Sequence, residues 1–238
     1  MIRLTRDAVR MLPLVLALGV GHAAFFAGSA DAVEIITVRS GNAPLGQPDP
    51  AITVFAGTGG APLASALFAS SDFDEACNGP QAVVGLGVPG AWAQGLACDP
   101  QARWVGIGIT FAPRSALYCQ AFTVDTCCIE QAFLTFCWTA DDCLGDIPLH
   151  GGSNPPGVYL NGNPVTPTIN GGTFATETVV GPIDVTGYLS CGRNYLQVYN
   201  RDTGFNYSGV MYSATLEIIE CAVPSENTSW SQIKTLYR

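Results

Sequence analysis

Between Ile129 and Trp138 the chain alternates: Ala132, Leu134, Phe136 and Trp138 fall on one side of an extended strand, and Gln131, Phe133, Thr135 and Cys137 on the other. A second alternation runs near the end. Val210, Tyr212, Ala214, Leu216 and Ile218 share one face, and Met211, Ser213, Thr215 and Glu217 the other, the pattern of a half-buried antiparallel strand. Further β-branched or aromatic runs predict strands at EIITVR (34–39), ITVFA (52–56), ARWVGIGIT (102–110), ALYCQAFTV (116–124) and NYLQVYN (194–200), the last with Leu196 and Val198 inward. VYLNGNPV (158–165) reads as a hairpin turning on Asn161-Gly162, because both central residues of that turn need positive φ. Helical periodicity is scarce. Many short strands and 27 glycines predict an all-β antiparallel sandwich or jelly roll.

The first residues carry a different pattern. Arg3, Arg6 and Arg10 precede the apolar run 11–20, and Ala30-Asp31-Ala32 ends the segment in a small-x-small arrangement. This layout predicts a cleavable secretory leader over 1–32, with the β-domain at 33–222 and a linker with a short tail at 223–238. Without Arg3, Arg6, Arg10, Asp7 and Asp31, seven basic and seventeen acidic side chains remain, a net charge of about −10. Such a surface repels phosphate backbones, so nucleic acid and anionic membrane are poor partners. After cleavage no segment would insert in a membrane, and the expected location is extracellular or the cell surface.

All nine cysteines lie beyond the leader, at 77, 98, 119, 127, 128, 137, 143, 191 and 221. In an oxidising compartment that number predicts disulfides. No Cys-x-x-Cys knuckle is present to favour zinc or a thioredoxin-like centre. The stretch 122–145, with four of the nine, is therefore read as stapled scaffold. Nine is odd, so one thiol is left over or bridges to a partner. Cys127 and Cys128 are not expected to close on each other, because a vicinal bridge distorts the peptide between them. Cys77 and Cys98 both precede Cys119 in loop-like sequence and are expected to pair with each other.

The order of these pieces resembles the galactose-binding-like jelly roll, a fold of carbohydrate-binding modules and of exported bacterial proteins with C-terminal sorting tails. The landmarks are SGNAPLGQPDPAITV (40–54), ARWVGIG (102–108), YCQAFTV (118–124), IEQAFLTFCWTADDC (129–143), VYLNG (158–162), IDVTGYLSCGRNYLQVYN (183–200) and SGVMYSATLEI (208–218). The resemblance implies one antiparallel sandwich of about eight to ten strands, commonly serving in sugar or surface binding. It also implies that 194–200 runs beside 129–138, which would pair Cys191 with Cys137 or Cys143. The cysteine density departs from similar domains, which are often cysteine-poor.

Candidate chemistry is sparse. Asp141, Asp142 and Asp146 are expected in one loop after the 129–138 strand, with Asn161 and Asn163 in the next hairpin. Hard oxygen donors of this kind suit a structural Ca²⁺, although no complete calcium loop motif is present and the same residues serve as turn formers. No other cofactor is required. Of the aromatics with flat faces for a sugar, Trp92, Trp104, Trp138 and Tyr159, Trp104 and Trp138 read as core. Trp92, in the Gly/Pro-rich VPGAWAQG (88–95), is the one placed to offer a flat face to a sugar. Trp92, Asp141, Asp142 and Asn161 are thus the candidate ligand contacts. No nucleophile elbow, metalloprotease helix or phosphate loop occurs, and His150 is a lone loop histidine. The composite reading is a secreted, non-catalytic module for binding a glycan or surface ligand, or for extracellular structure. The alternatives are a glycan-active hydrolase, since two carboxylates can converge from anywhere, and a matrix or appendage subunit cross-linked by the odd cysteine. In the tail, Ser229 and Gln232 fit a capping box and Trp230, Ile233 and Tyr237 recur at helical spacing, which predicts a short helix docking on the domain or on an export or attachment partner.

Overall fold

A computed structural model describes residues 32–222 except 150 and 205; the expected leader up to residue 31, His150 and the tail 223–238 lie outside the described residues. In chain order the elements are β1 (Val33–Arg39), β2 (Pro48–Ala56), α1 (Ser70–Asn78), β3 (Gln81–Val84), β4 (Val105–Gly106) and β5 (Ala116–Val124). They continue with β6 (Ile129–Asp141), β7 (Cys143–Leu144), β8 (Val158–Leu160), β9 (Asn163–Pro164), β10 (Thr178–Asp184), β11 (Gly192–Arg201) and β12 (Gly209–Glu220). All pairings are antiparallel. The strand path runs β10-β6-β12-β4-β3-β2-β5-β11-β8-β9, with β1 also on β12 and β7 also on β11. This continuous sheet folds over on itself, so β6 and β12 face β5 and β11. Tyr212 on β12 reaches across to donate to Gln120 Oε1 on β5 at 2.8 Å. The fold is all-β and sandwich-like, as expected.

The alternations hold where they were strict. Ala132, Leu134, Phe136 and Trp138 enter the central core with Val210, Tyr212, Ala214, Leu216 and Ile218, against Tyr118, Leu196 and Val198 from the opposing half. The Asn161-Gly162 turn has φ of 52° and 76°, as its hairpin demands. The run 102–110 is a correction, because only Val105–Gly106 joins the sheet. Trp104 instead lies in a second cluster with Trp92, Leu96, Phe111 and Met211 over the outer face of β6 and β12. The helix is a second correction. Alpha-1 covers the outer face of β5 and β11, where Phe73 and Ala76 meet Leu117, Tyr159 and Tyr199. It starts where the Asp72 carboxylate accepts the Ala69 amide at 2.7 Å.

Cysteine pairing follows these covers. Cys77 pairs with Cys119 and Cys98 with Cys137, so the expected Cys77–Cys98 bridge is wrong. The reason is that α1 lays Cys77 on β5 while the 86–104 segment lays Cys98 on β6. The partner expected for Cys191 is also wrong. Strand β11 pairs with β5, β7 and β8 and not with β6, and Gly192 sits opposite Val124, which puts Cys191 beside Cys127. Cys128 joins Cys221 across a separation of 93 residues. Cys143, expected in a bridge, keeps its thiol, 1% exposed, with its sulfur 3.5 Å from Gly145 O. Burial and then the Asp142 charge push that thiol up to about 12, so it stays protonated. No helix of the described residues is long and apolar enough to cross a membrane.

Reductant is therefore expected to lower the melting temperature strongly while EDTA leaves it in place. Removing the Cys128–Cys221 bridge by a double Cys→Ser change should cost about 2–4 kcal/mol in denaturant unfolding. Stoichiometric zinc with reductant-insensitive melting would overturn the scaffold assignment.

Candidate functional site

The candidate ligand contacts do not assemble into one site. Trp92 is 5% exposed, stacked on Trp104 at a ring distance of 4.2 Å and on Phe111 at 4.9 Å, so it is packing and offers no open face. Asp141 ends β6 instead of lying in a loop, and Asp142 follows it. Asp146 is drawn away from both. Its carboxylate takes Arg201 Nε at 3.2 Å, the Tyr199 hydroxyl at 3.2 Å and the Asn154 amide at 2.8 Å. The residue that joins Asp141 and Asp142 is Asp202, 60 residues on and marked by no local pattern.

These three carboxyls form an acidic knot in which each feels the others' charge. Asp142 accepts the Thr203 amide at 2.6 Å and the Thr203 hydroxyl. Asp202, fully buried, accepts the Gly60 amide at 3.0 Å and the Gly204 amide at 3.1 Å. Asp141 shares a hydrogen bond with Asp142 and receives one from Trp92. Burial, then the bond to Asp142 and the charges of Asp142 and Asp202, push its carboxyl up to about 7. Burial likewise raises Asp202. The Trp92 contact with Asp141 ties the loop that carries Trp92 to the end of β6. Two carboxyls in direct hydrogen bond are too close for either glycosidase geometry, which needs a sugar bond between them. Among the described residues, one group of three has ligand atoms within 4.8 Å of one another, Cys98, Cys137 and Glu177, and its two sulfurs are already joined. Asp141, Asp142 and Asp202 are not drawn that close.

Asn161 marks a different place. Its side chain rivets the β8–β9 hairpin to β11: Oδ1 accepts the Tyr195 amide at 2.8 Å, and Nδ2 donates to Tyr188 O and Asn194 Oδ1, both at 2.8 Å. Next to it, the Gly162 amide donates to Gln197 Oε1 at 3.1 Å. A Cβ on Gly162 would come within 3.3 Å of Phe73, so glycine serves both the turn and the close approach of α1. Helix, hairpin and β11 enclose a cleft of about 390 Å³. Phe73 and Tyr195 supply ring surface, Gln197 the floor, and Ser70, Asp74 and Asn163 polar groups at the rim. Phe73 is itself braced edge-on by Phe68 at 5.8 Å and Tyr159 at 5.1 Å. The Arg193 guanidinium lies 5.8 Å from the Tyr195 ring. Ring surface with convergent amides, a hydroxyl and a carboxylate suits an uncharged polar ligand. Of these residues, Asn161 and Asn163 were singled out from the sequence. The signal for the rest was Phe73 and Ala76 at i, i+3 behind the Asp72 cap, one turn of amphipathic helix.

The sequence matches no protein-family model and no curated protein.

Two outcomes follow. Phe73→Ala should cost about 3–5 kcal/mol and open the cleft, read by denaturant unfolding and by faster amide exchange in α1. For the acidic knot, Asp141 holds its proton in the fold up to about pH 7 but in the unfolded chain only to about pH 4. Its contribution is full below the lower value and is lost as pH rises through the higher one. Urea melts across that range should show stability falling toward neutral pH, with Asp141→Asn flattening the fall.

Proposed function

We propose that this protein is a secreted, non-catalytic β-sandwich module of the galactose-binding-like kind, and that it binds an uncharged glycan in the cleft between α1, the β8–β9 hairpin and β11. The observation that carries the reading is the lining of that cleft: aromatic rings beside amide, hydroxyl and carboxylate groups, on walls fixed by a disulfide and by the Asn161 rivet. Sugars combine apolar ring faces with hydroxyls, and such a lining meets both. The acidity of the chain argues for a neutral ligand over an anionic one. Four disulfides suit an oxidising compartment, which supports export. Cross-linking through the odd cysteine is less favoured, since Cys143 is buried. The candidate Ca²⁺ ligands do not assemble, since Asp146 is held by Arg201 Nε and Asp141, Asp142 and Asp202 form no close three-ligand group among the described residues.

A glycan array, run with and without a calcium chelator, tests this. Binding that drops about tenfold or more in Tyr195→Ala and Asn163→Ala, both accessible positions, is the expected result. Loss on chelation would bring the acidic knot into the binding reading. Turnover of a polysaccharide, abolished by a single Asp→Asn or Glu→Gln change, would replace the module reading with a hydrolase.

A further inference from the structure

Alpha-1 lies as a ridge across the outer face of the sheet half that contains β2, β5 and β11, and it has a cleft on each side. The near cleft is the one toward β11. The far cleft, about 620 Å³, opens toward β2 and β3 and is lined by Phe55, Ala56, Glu75, Gln81 and Arg114. Both clefts reach Asn78, the last residue of the helix. At that end the ridge is low. Gly79 sits so close to the sheet that a Cβ there would meet Val54 O at 2.3 Å, and no larger residue would let the helix end settle on β2. Asn78 is exposed, donates Nδ2 to Asp74 O at 2.8 Å, and lines both clefts at the saddle between them.

We infer that the two clefts are subsites of one groove, and that the ligand is an internal stretch of an uncharged glycan chain crossing the saddle at Asn78, not a single terminal sugar. This rests on the glycan-binding reading of the near cleft. The far cleft repeats its chemistry: ring surface from Phe55, an amide from Gln81, and Glu75 with Arg114, whose opposite charges give the groove no net attraction for an anion. Gln81 and Arg114 are both exposed. A polymer that occupies both clefts gains contacts with each added residue, whereas a terminal sugar fills one cleft and gains nothing.

The test is a length series. Oligosaccharides of two to six residues from the β-1,4-glucan, β-1,3-glucan, chitin and mannan families are titrated calorimetrically against the full chain. In the family that binds, affinity should rise at least about tenfold from the shortest to the longest member. Gln81→Ala with Arg114→Ala should collapse that rise to a single affinity across the series, and circular dichroism of the same variant checks that it is folded. Wild-type binding with the same affinity at every length would overturn the two-subsite groove and leave the single-cleft reading standing. Binding by none of the four families would overturn the neutral-glycan reading itself, and this inference with it.

Discussion

Two disulfides hold down the two covers on which the outer faces of this sandwich depend. Cys77–Cys119 ties α1 to β5, and Cys98–Cys137 ties the 86–104 segment to β6. Neither cover can hold its shape alone. A helix of nine residues is below the length at which helices persist in water, and the 86–104 segment has no regular structure of its own. Each brings aromatic side chains down onto a strand face that a simple sandwich leaves to solvent: Phe73 on Leu117 and Tyr199, Trp92 and Trp104 on Met211. The bridges reduce the freedom of the unfolded chain, so this modest apolar burial suffices. The clefts exist because a cover rides on the sheet without filling it.

The same layering explains the buried polar groups. Arg201 and Asp146 are both almost fully buried and form an ion pair at the end of β11. A charge there survives only with partners, and Tyr199, Asn154 and Ser115 provide them. Nearby, Asn200 donates to Asp141 O and Ser208 Oγ, both at 2.9 Å, which ties β11 to the end of β6. Asp142 and Asp202 are met chiefly by backbone amides. The Thr203, Gly60 and Gly204 amides they accept make a clasp between loops at one end of the sandwich. The cleft at α1 and this clasp are thus two outcomes of one constraint: polar groups brought under a cover must find partners within it.

The strands were legible because their alternation is local. For β6 and β12, period two alone sorts core from exterior, and the Asn161-Gly162 turn announces itself through the φ values it needs. Legibility failed wherever a second layer intervened. Met211 and Ser213 alternate outward on β12 yet are buried, Met211 under Trp92 and Trp104 and Ser213 beside Asp99, whose carboxylate accepts its hydroxyl at 2.8 Å. Trp92 looked exposed for the same reason: its Gly/Pro-rich setting says loop and says nothing of what lies beneath the loop. The helix is short enough that Phe73 and Ala76 offer only one turn of periodicity, too little to stand out among β-runs.

What the sequence by itself determined is the all-β architecture, the disulfide-rich chemistry of its nine cysteines, and the faces of the longest strands. These depend on neighbours one or two residues away. What only the tertiary structure decided is which cysteines pair, which acids meet, and where a cleft opens. Cys191 meets Cys127 because β11 lies beside β5, and Asp202 meets Asp141 because β11 and β6 end at the same edge of the sandwich. Partners 60 residues apart along the chain, as Asp142 and Thr203 nearly are at 61, are chosen by strand order, and strand order is a property of the packed sheet that no local pattern encodes.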